Sequence, residues 1–400
     1  MTGPLTITLE PAKALSATAE VRLLRDGLVK NPASTPLRSK LGEVLNELDQ
    51  FDETITLLAP VLDKLDSNAC LVLARACFAL HDTGHLELAG AAADRALAVA
   101  AGDPGRARAM ADQAKVHLRR DASAAAIGIL RAALALDRQS VAAFKRLALQ
   151  LLRQGDLAAI EQLTAELISA GVCHSRVLAA RMMALAALGR DDEARTITDL
   201  AHRLHCAQLA PPPGWTSLSQ LNAALVTELT GNSALRYDRF GTASTRTWRV
   251  DSPMVGATPA WIALLDQVAR LVEVWASDLA PSGHPWLAAR PERAMLRSWC
   301  VITGAEGHER WHMHPDGWLS GGYYPVVPSG LASPANRAGC LSFGLPDGLP
   351  GTPAAKRFGE VTVRPEAGLL TLFPSHAFHR TYPHGSPERR ICVAFDVIPL

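Results

Sequence analysis

From residue 17 to residue 205 the apolar positions, mostly Ala and Leu, recur at intervals of three and four between polar faces rich in Arg and Glu. That is the helical period, and it predicts an all-α segment. The pattern breaks at Ala210-Pro-Pro-Pro-Gly-Trp215, because consecutive prolines remove backbone donors and disfavour helix ahead of them. Helical periodicity returns over 217–229 and 258–279, where Trp261, Leu264, Leu265, Val268, Leu271 and Val272 form one apolar stripe expected to pack rather than to bind. From Arg297 onward the period changes to short β-type runs at 298–303, 319–327, 340–343, 360–363, 368–373 and 390–397, separated by Gly, Pro, Asn and Asp. So many short strands in so little chain predict a sandwich or barrel. The expected organisation is an N-terminal extension (1–16), a helical domain (17–205), a Pro-rich linker (206–216) and a second domain (217–400) with its β core at about 297–400.

A longer period lies over the helical one. Asp121, Gly155 and Gly189 fall at turns and stand thirty-four residues apart. Leu41-Gly42 in one first helix and Gly189-Arg-Asp-Asp-Glu-Ala194 at a helix-helix turn match small-residue positions, and with this spacing the segment resembles the tetratricopeptide repeat. The match is degenerate: the unit between Asp66 and Asp103 is three residues too long. Stacked helix pairs leave a surface that commonly receives a polypeptide, so the resemblance implies a peptide or protein partner for this half. A scaffold or assembly module is the alternative.

Composition narrows the classes. Over 400 residues the chain is 48% hydrophobic and 20% charged, enough for full-sized cores, and its formal charge is +1 with no run of one sign. This argues against a nucleic-acid or anionic-membrane surface. Seven dispersed cysteines without a Cys-x-x-Cys pair suggest neither a disulfide framework nor a zinc ribbon, and no signal-like or membrane-spanning stretch is evident. The expectation is a soluble, cytoplasmic protein.

Six of the thirteen histidines (His308, His312, His314, His376, His379 and His384) lie in the last quarter of the chain. His312 and His314 are two apart, so on an extended backbone their side chains leave from one face, a geometry for holding one metal ion. A lone pair at this spacing is also common in solvent-facing strands, and only its context raises it above that.

The context is a run of pieces in order: His312-Met-His314-Pro-Asp-Gly-Trp-Leu-Ser-Gly-Gly-Tyr-Tyr324, Gly339-Cys-Leu-Ser-Phe343, Gly368-Leu-Leu-Thr-Leu-Phe-Pro374 with His379, and Glu388-Arg-Arg-Ile-Cys-Val-Ala-Phe395. With these, residues 297–400 resemble the 2-oxoglutarate- and Fe(II)-dependent oxygenases of double-stranded β-helix fold. The fold class is therefore expected to be α+β multidomain: an all-α tetratricopeptide-like superhelix, then a double-stranded β-helix (jelly roll) with packing helices. The resemblance implies Fe(II) held by three protein ligands with positions left for 2-oxoglutarate and O₂. His379 would be the distal ligand and His314 a proximal one. The third would be His312, the favoured choice, or Asp316, whose spacing after His314 suits the usual His-x-Asp pattern.

Arg390 is the charge expected on the distal carboxylate of 2-oxoglutarate, since a guanidinium forks onto a carboxylate bidentately. Ser320, Tyr323 and Tyr324 are candidates for further hydrogen bonds in the pocket, with one tyrosine of the adjacent pair open to a core role. His376 is expected at the surface or behind the ligands, and His308 and His384 in loops. The implied reaction is hydroxylation of a peptide or protein side chain, with 2-oxoglutarate oxidatively decarboxylated, no general base required and no catalytic residue beyond the metal ligands. Oxidation of a small metabolite, or a cupin-like metal protein or inactive scaffold, are the other readings; a cupin expects glutamate where this chain has Trp318.

Overall fold

The structure is a computed structural model, and it describes residues 4–80, 82–251, 253, 258–279, 283–329, 331, 336–348 and 351–400. Contacts divide it into two compact units, Leu15–Gly155 and Met1–Ala14 together with Asp156–Leu400.

The first unit holds α1 (Ala17–Lys30), α2 (Thr35–Glu47), α3 (Phe51–Leu58), α4 (Ser67–Leu80), α5 (Thr83–Val99), α6 (Gly102–Arg119), α7 (Ser123–Leu136) and α8 (Val141–Gln154). Small buried residues such as Ala74, Ala89, Ala92, Ala96 and Ala109 let neighbouring helices approach closely. Asp121 and Gly155, two of the turn positions spaced by thirty-four, have left-handed backbone, with φ of 57° and 72°, and Gly189 repeats it at 79°. The sequence period is thus a period in backbone geometry, and glycine suits such a site at no steric cost.

In the second unit α9 (Leu157–Ser169), α10 (Ser175–Ala187), α11 (Asp191–Thr198) and α12 (Leu200–Arg203) precede the β domain. Leu178, Met182, Leu185, Ala194 and Ile197 share one apolar core with Leu221, Trp261, Leu319 and Phe395. The unit boundary therefore falls at 155/156, ahead of the proline break at which the sequence placed the end of the helical domain: these last helices bury their apolar faces against the β domain. The expected linker 206–216 also carries β2 (His205–Gln208), which pairs with β9 (Leu369–Pro374), and the expected extension 1–16 carries β1 (Thr6–Leu9), parallel to β5 (Arg293–Glu309). These strands of four residues are too short for a period of two to declare itself.

The larger sheet runs β2-β9-β6-β11-β5-β4-β3, with β3 at Arg236–Tyr237, β4 at Ser244–Val250, β6 at Leu319–Val326 and β11 at Arg390–Pro399. A smaller antiparallel sheet runs β10-β7-β8, with β7 at Leu341–Phe343, β8 at Val361–Val363 and β10 at His379–Thr381. The helices expected at 217–229 and 258–279 are α13 (Leu218–Thr230) and α14 (Pro259–Asp278), followed by α15 (Pro285–Ala288) and α16 (Thr352–Phe358). Of the α14 stripe, Trp261, Leu264, Leu265, Val268 and Val272 are buried in the core, whereas Leu271 is exposed. No described helix is long and apolar enough to cross a membrane.

Candidate metal centre

The segment 310–318 closes one end of the β domain, and backbone hydrogen bonds hold it there. His312 and His379 exchange both N–H···O bonds (2.9 and 2.8 Å), the His314 N–H donates to the Ser375 carbonyl (2.9 Å), and the Trp318 N–H donates to that of Val397 (2.8 Å). Trp318 stacks on Trp286 at 4.6 Å, and each indole N–H donates to the other residue's carbonyl. The Ser175 hydroxyl of α10 donates to the Gly317 carbonyl (2.6 Å). Extended backbone on both sides of the bridge thus aims His312, His314 and His379 at one point, and their candidate ligand atoms all lie within 4.8 Å of one another.

Each ring is fixed through its Nδ1. His312 Nδ1 meets the Arg310 carbonyl (2.7 Å), His379 Nδ1 the Ala377 carbonyl (3.0 Å), and His314 Nδ1 the Asp396 carboxylate. A carbonyl only accepts, so Nδ1 of His312 and of His379 carries the hydrogen and Nε2 carries the lone pair; an ionised Asp396 imposes the same on His314. Such outer partners fix the tautomer of metal-binding histidines. Burial, then the neighbouring His314, pushes His312 down to about 3, and burial, then His312, holds His379 well below the usual histidine range. Neutral imidazoles are what a metal requires. The donor set therefore fits a divalent ion of the first transition row.

The three rings line a cavity of about 490 Å³ that also takes in Trp299, Glu309, Tyr324, Thr371 and Arg390. Arg390 is only 3% exposed. Its Nη1 donates to the Gly339 carbonyl (2.8 Å) and its Nη2 to Thr381 Oγ1 (3.2 Å). Among the described residues no carboxylate forms an ion pair with it. Glu309 in the same cavity acts on it only at a distance; a buried guanidinium without a contacting carboxylate is costly, and a small dianion in the cavity would relieve it.

The remaining sequence candidates separate. Asp316 lines the cavity mouth but is exposed and stands outside the histidine cluster. Tyr324 faces the cavity, and burial pushes its phenol up. Tyr323 leaves the strand on the opposite side, joins the core, and donates from its hydroxyl to Asn222 (2.7 Å). Ser320 does not line the cavity either; its hydroxyl donates to Asp396 (2.6 Å) and meets Ser375 Oγ (2.7 Å). His376, expected at the surface or behind the ligands, is fully buried with Nε2 on the Ile197 carbonyl (2.8 Å), because α11 packs over it. His384 lies in a loop but is buried.

Sequence reasoning overlooked Asp396. Its signal was present: Arg390, Cys392, Ala394 and Asp396 alternate along β11 and all line the cavity, while Ile391, Val393, Phe395 and Val397 enter the core. Thr381, which accepts from Arg390 and from the Glu309 N–H (2.9 Å), carried no such signal.

A family model described as "Putative 2OG-Fe(II) oxygenase" matches residues 297–396. No curated protein matches the chain. Among solved structures, a prolyl-4-hydroxylase of Pseudomonas putida is 18% identical, with 50% of this chain and 96% of that one covered and a TM-score of 0.31. A tetratricopeptide repeat protein of Thermus thermophilus is 20% identical over 45% of this chain and 87% of that one, with a TM-score of 0.32. A prolyl hydroxylase of Trichoplax adhaerens, solved with a hypoxia-inducible-factor peptide fragment, is 12% identical over 53% and 91%, with a TM-score of 0.33. The histidine cluster and the family match together suit Fe(II) and 2-oxoglutarate, and over residues 297–396 the chain matches the 2-oxoglutarate- and Fe(II)-dependent oxygenase family.

Proposed function

We propose that the protein hydroxylates a peptide or protein side chain, with the helical repeats helping to hold the substrate. His312, His314 and His379 would hold Fe(II) through Nε2, and Arg390 would take the distal carboxylate of 2-oxoglutarate. With both bound, the site supplies oxidation of a substrate C–H bond by O₂ coupled to decarboxylation of 2-oxoglutarate to succinate. The chain's own part is orientation. The Arg310 and Ala377 carbonyls and Asp396 fix the rings, Thr381 and the Gly339 carbonyl aim Arg390, and Tyr324 and Phe373 line the cavity beside them.

The observation that carries this reading is the pairing, in one cavity, of three imidazoles with acceptors on their Nδ1 atoms and one buried guanidinium that no carboxylate of the described residues contacts. The test is mass spectrometry of cellular peptides after incubation with the full-length protein, Fe(II), 2-oxoglutarate and O₂. Peptides gaining one oxygen, with succinate formed in equal amount, are expected. Succinate formation stimulated by a small-metabolite fraction, with every peptide unchanged, would overturn the peptide substrate while keeping the oxygenase.

A further inference from the structure

The alternate helices of the first unit differ sharply in charge. α4, α6 and α8 together carry eight Lys and Arg against two Asp, whereas α5 and α7, which lie between them in sequence, carry two basic and two acidic residues. The whole chain is nearly neutral, at +1. The excess is therefore local.

It is also on one face. In α6, Arg108, Asp112, Lys115 and Arg119 follow at four, three and four, which is a single helical stripe. One repeat later, thirty-four residues on, Arg146 and Arg153 stand in α8 at the places of Asp112 and Arg119. Side chains bridge these helices in turn: Arg108 donates to Asn68 Oδ1 of α4 (3.4 Å), Lys115 Nζ lies 3.8 Å from the centre of the Phe78 ring of α4, and Arg146 of α8 pairs with Asp112. Asp112 is the one acid in the stripe, and Arg146 already engages it. Burial, then the proximity of Arg146, with Arg119 and Lys145 adding to it, holds Lys115 down at about 8.

From this we infer that the face built by α4, α6 and α8 docks an acidic segment of polypeptide. The inference deepens the reading of the repeats as a substrate-holding module and rests on it. Carboxylates of an extended chain would meet Arg75, Arg108, Arg119 and Arg153, all of them exposed. Phe78, 6% exposed beneath Lys115, and Leu86 line a cavity of about 350 Å³ beside the stripe together with Asp82, Arg119 and Arg120, so that two guanidiniums outnumber its one carboxylate and an apolar side chain has room next to the acids. Single-stranded nucleic acid is the other polyanion with this charge, but it is bound with aromatic platforms for its bases. The two phenylalanines of these helices, Phe78 and Phe144, are both buried.

The test uses the full chain without Fe(II) or 2-oxoglutarate, so that failure of docking and failure of the oxygenase reading are read separately. Fluorescence anisotropy would follow labelled oligoglutamate, oligolysine and oligouridine of equal length as salt is raised. Oligoglutamate should bind, oligolysine should not, and Arg75→Gln/Arg119→Gln/Arg153→Gln should weaken oligoglutamate by about tenfold. Arg131→Gln on α7 should leave binding unchanged, with thermal melting checking that each variant is folded. Absence of oligoglutamate binding, indifference to the triple substitution, or tighter binding of oligouridine through the same arginines would each overturn the inference.

Discussion

Replacing Asp396 with alanine tests whether the carboxylate behind His314 shapes the metal centre. Asp396 is 7% exposed and accepts two hydrogen bonds, from His314 Nδ1 and from the Ser320 hydroxyl. Removing it frees the His314 ring to turn and leaves its buried Nδ1–H without an acceptor, while the Ser320 hydroxyl keeps Ser375 Oγ as a partner. Loss of such an outer partner costs metal-binding sites about 10- to 100-fold in affinity, or about 1.4 to 2.8 kcal/mol. The unmet donor costs fold stability as well, about 1–3 kcal/mol, and the two effects are separable. Anaerobic titration with Co(II) against a competing chelator measures the first, and melting of the metal-free protein measures the second. Asp396→Asn keeps an acceptor for Nδ1–H and should lose less affinity than alanine. If Asp396→Ala bound Co(II) as wild type while its metal-free melting temperature fell, the carboxylate would be a fold element only and the reasoning would be refuted.

The choice of third ligand is open to the same titration: His312→Ala should abolish tight metal binding and Asp316→Ala should leave it nearly intact, and the reverse result would move the ligand to the carboxylate. Arg390→Lys keeps the charge but loses the fork held by Gly339 and Thr381; hydrogen bonds to charged groups contribute about 1.5–3 kcal/mol, so 2-oxoglutarate should bind roughly 10- to 100-fold more weakly by calorimetry on the Co(II)-loaded protein, and unchanged affinity would remove Arg390 from this role. His376 is held at about 3 by burial, against 6.5 when free, so the folded protein takes up fewer protons than the unfolded chain between these values. Its contribution to stability is complete above pH 6.5 and falls as the pH drops toward 3; urea melts of wild type and His376→Gln should therefore differ in slope over that interval, and parallel curves would contradict the assignment. Gly321→Ala would place a Cβ 2.4 Å from both the Phe395 ring and the Thr371 carbonyl, an overpacking expected to cost about 1–3 kcal/mol, visible as a lower melting temperature in the metal-free protein.

Much was legible without coordinates. The period of three and four and the thirty-four-residue spacing are local properties of the chain, and the left-handed turns at Asp121, Gly155 and Gly189 are their direct expression. The six β-type runs all fall on strands, β5, β6, β7, β8, β9 and β11. Their alternation also separates Tyr324 from Tyr323, one toward the cavity and one toward the core. The histidine pair and the guanidinium were readable because their chemistry is rare and their order along the chain is distinctive.

Tertiary structure alone decided what depends on partners far away in sequence. The bridge from His312 to His379 spans two separate segments, and it is this pairing that gathers the three imidazoles and leaves Asp316 outside. Asp396 became an acceptor for His314 because β11 returns beside β6, and His376 became a core residue because α11 covers it. α9 to α12 belong with the β domain although their sequence continues the repeat, since burial is set by the surface an apolar stripe meets, which the stripe's own period does not encode. Periodicity reports how a segment curls; where its faces go is a property of the whole chain.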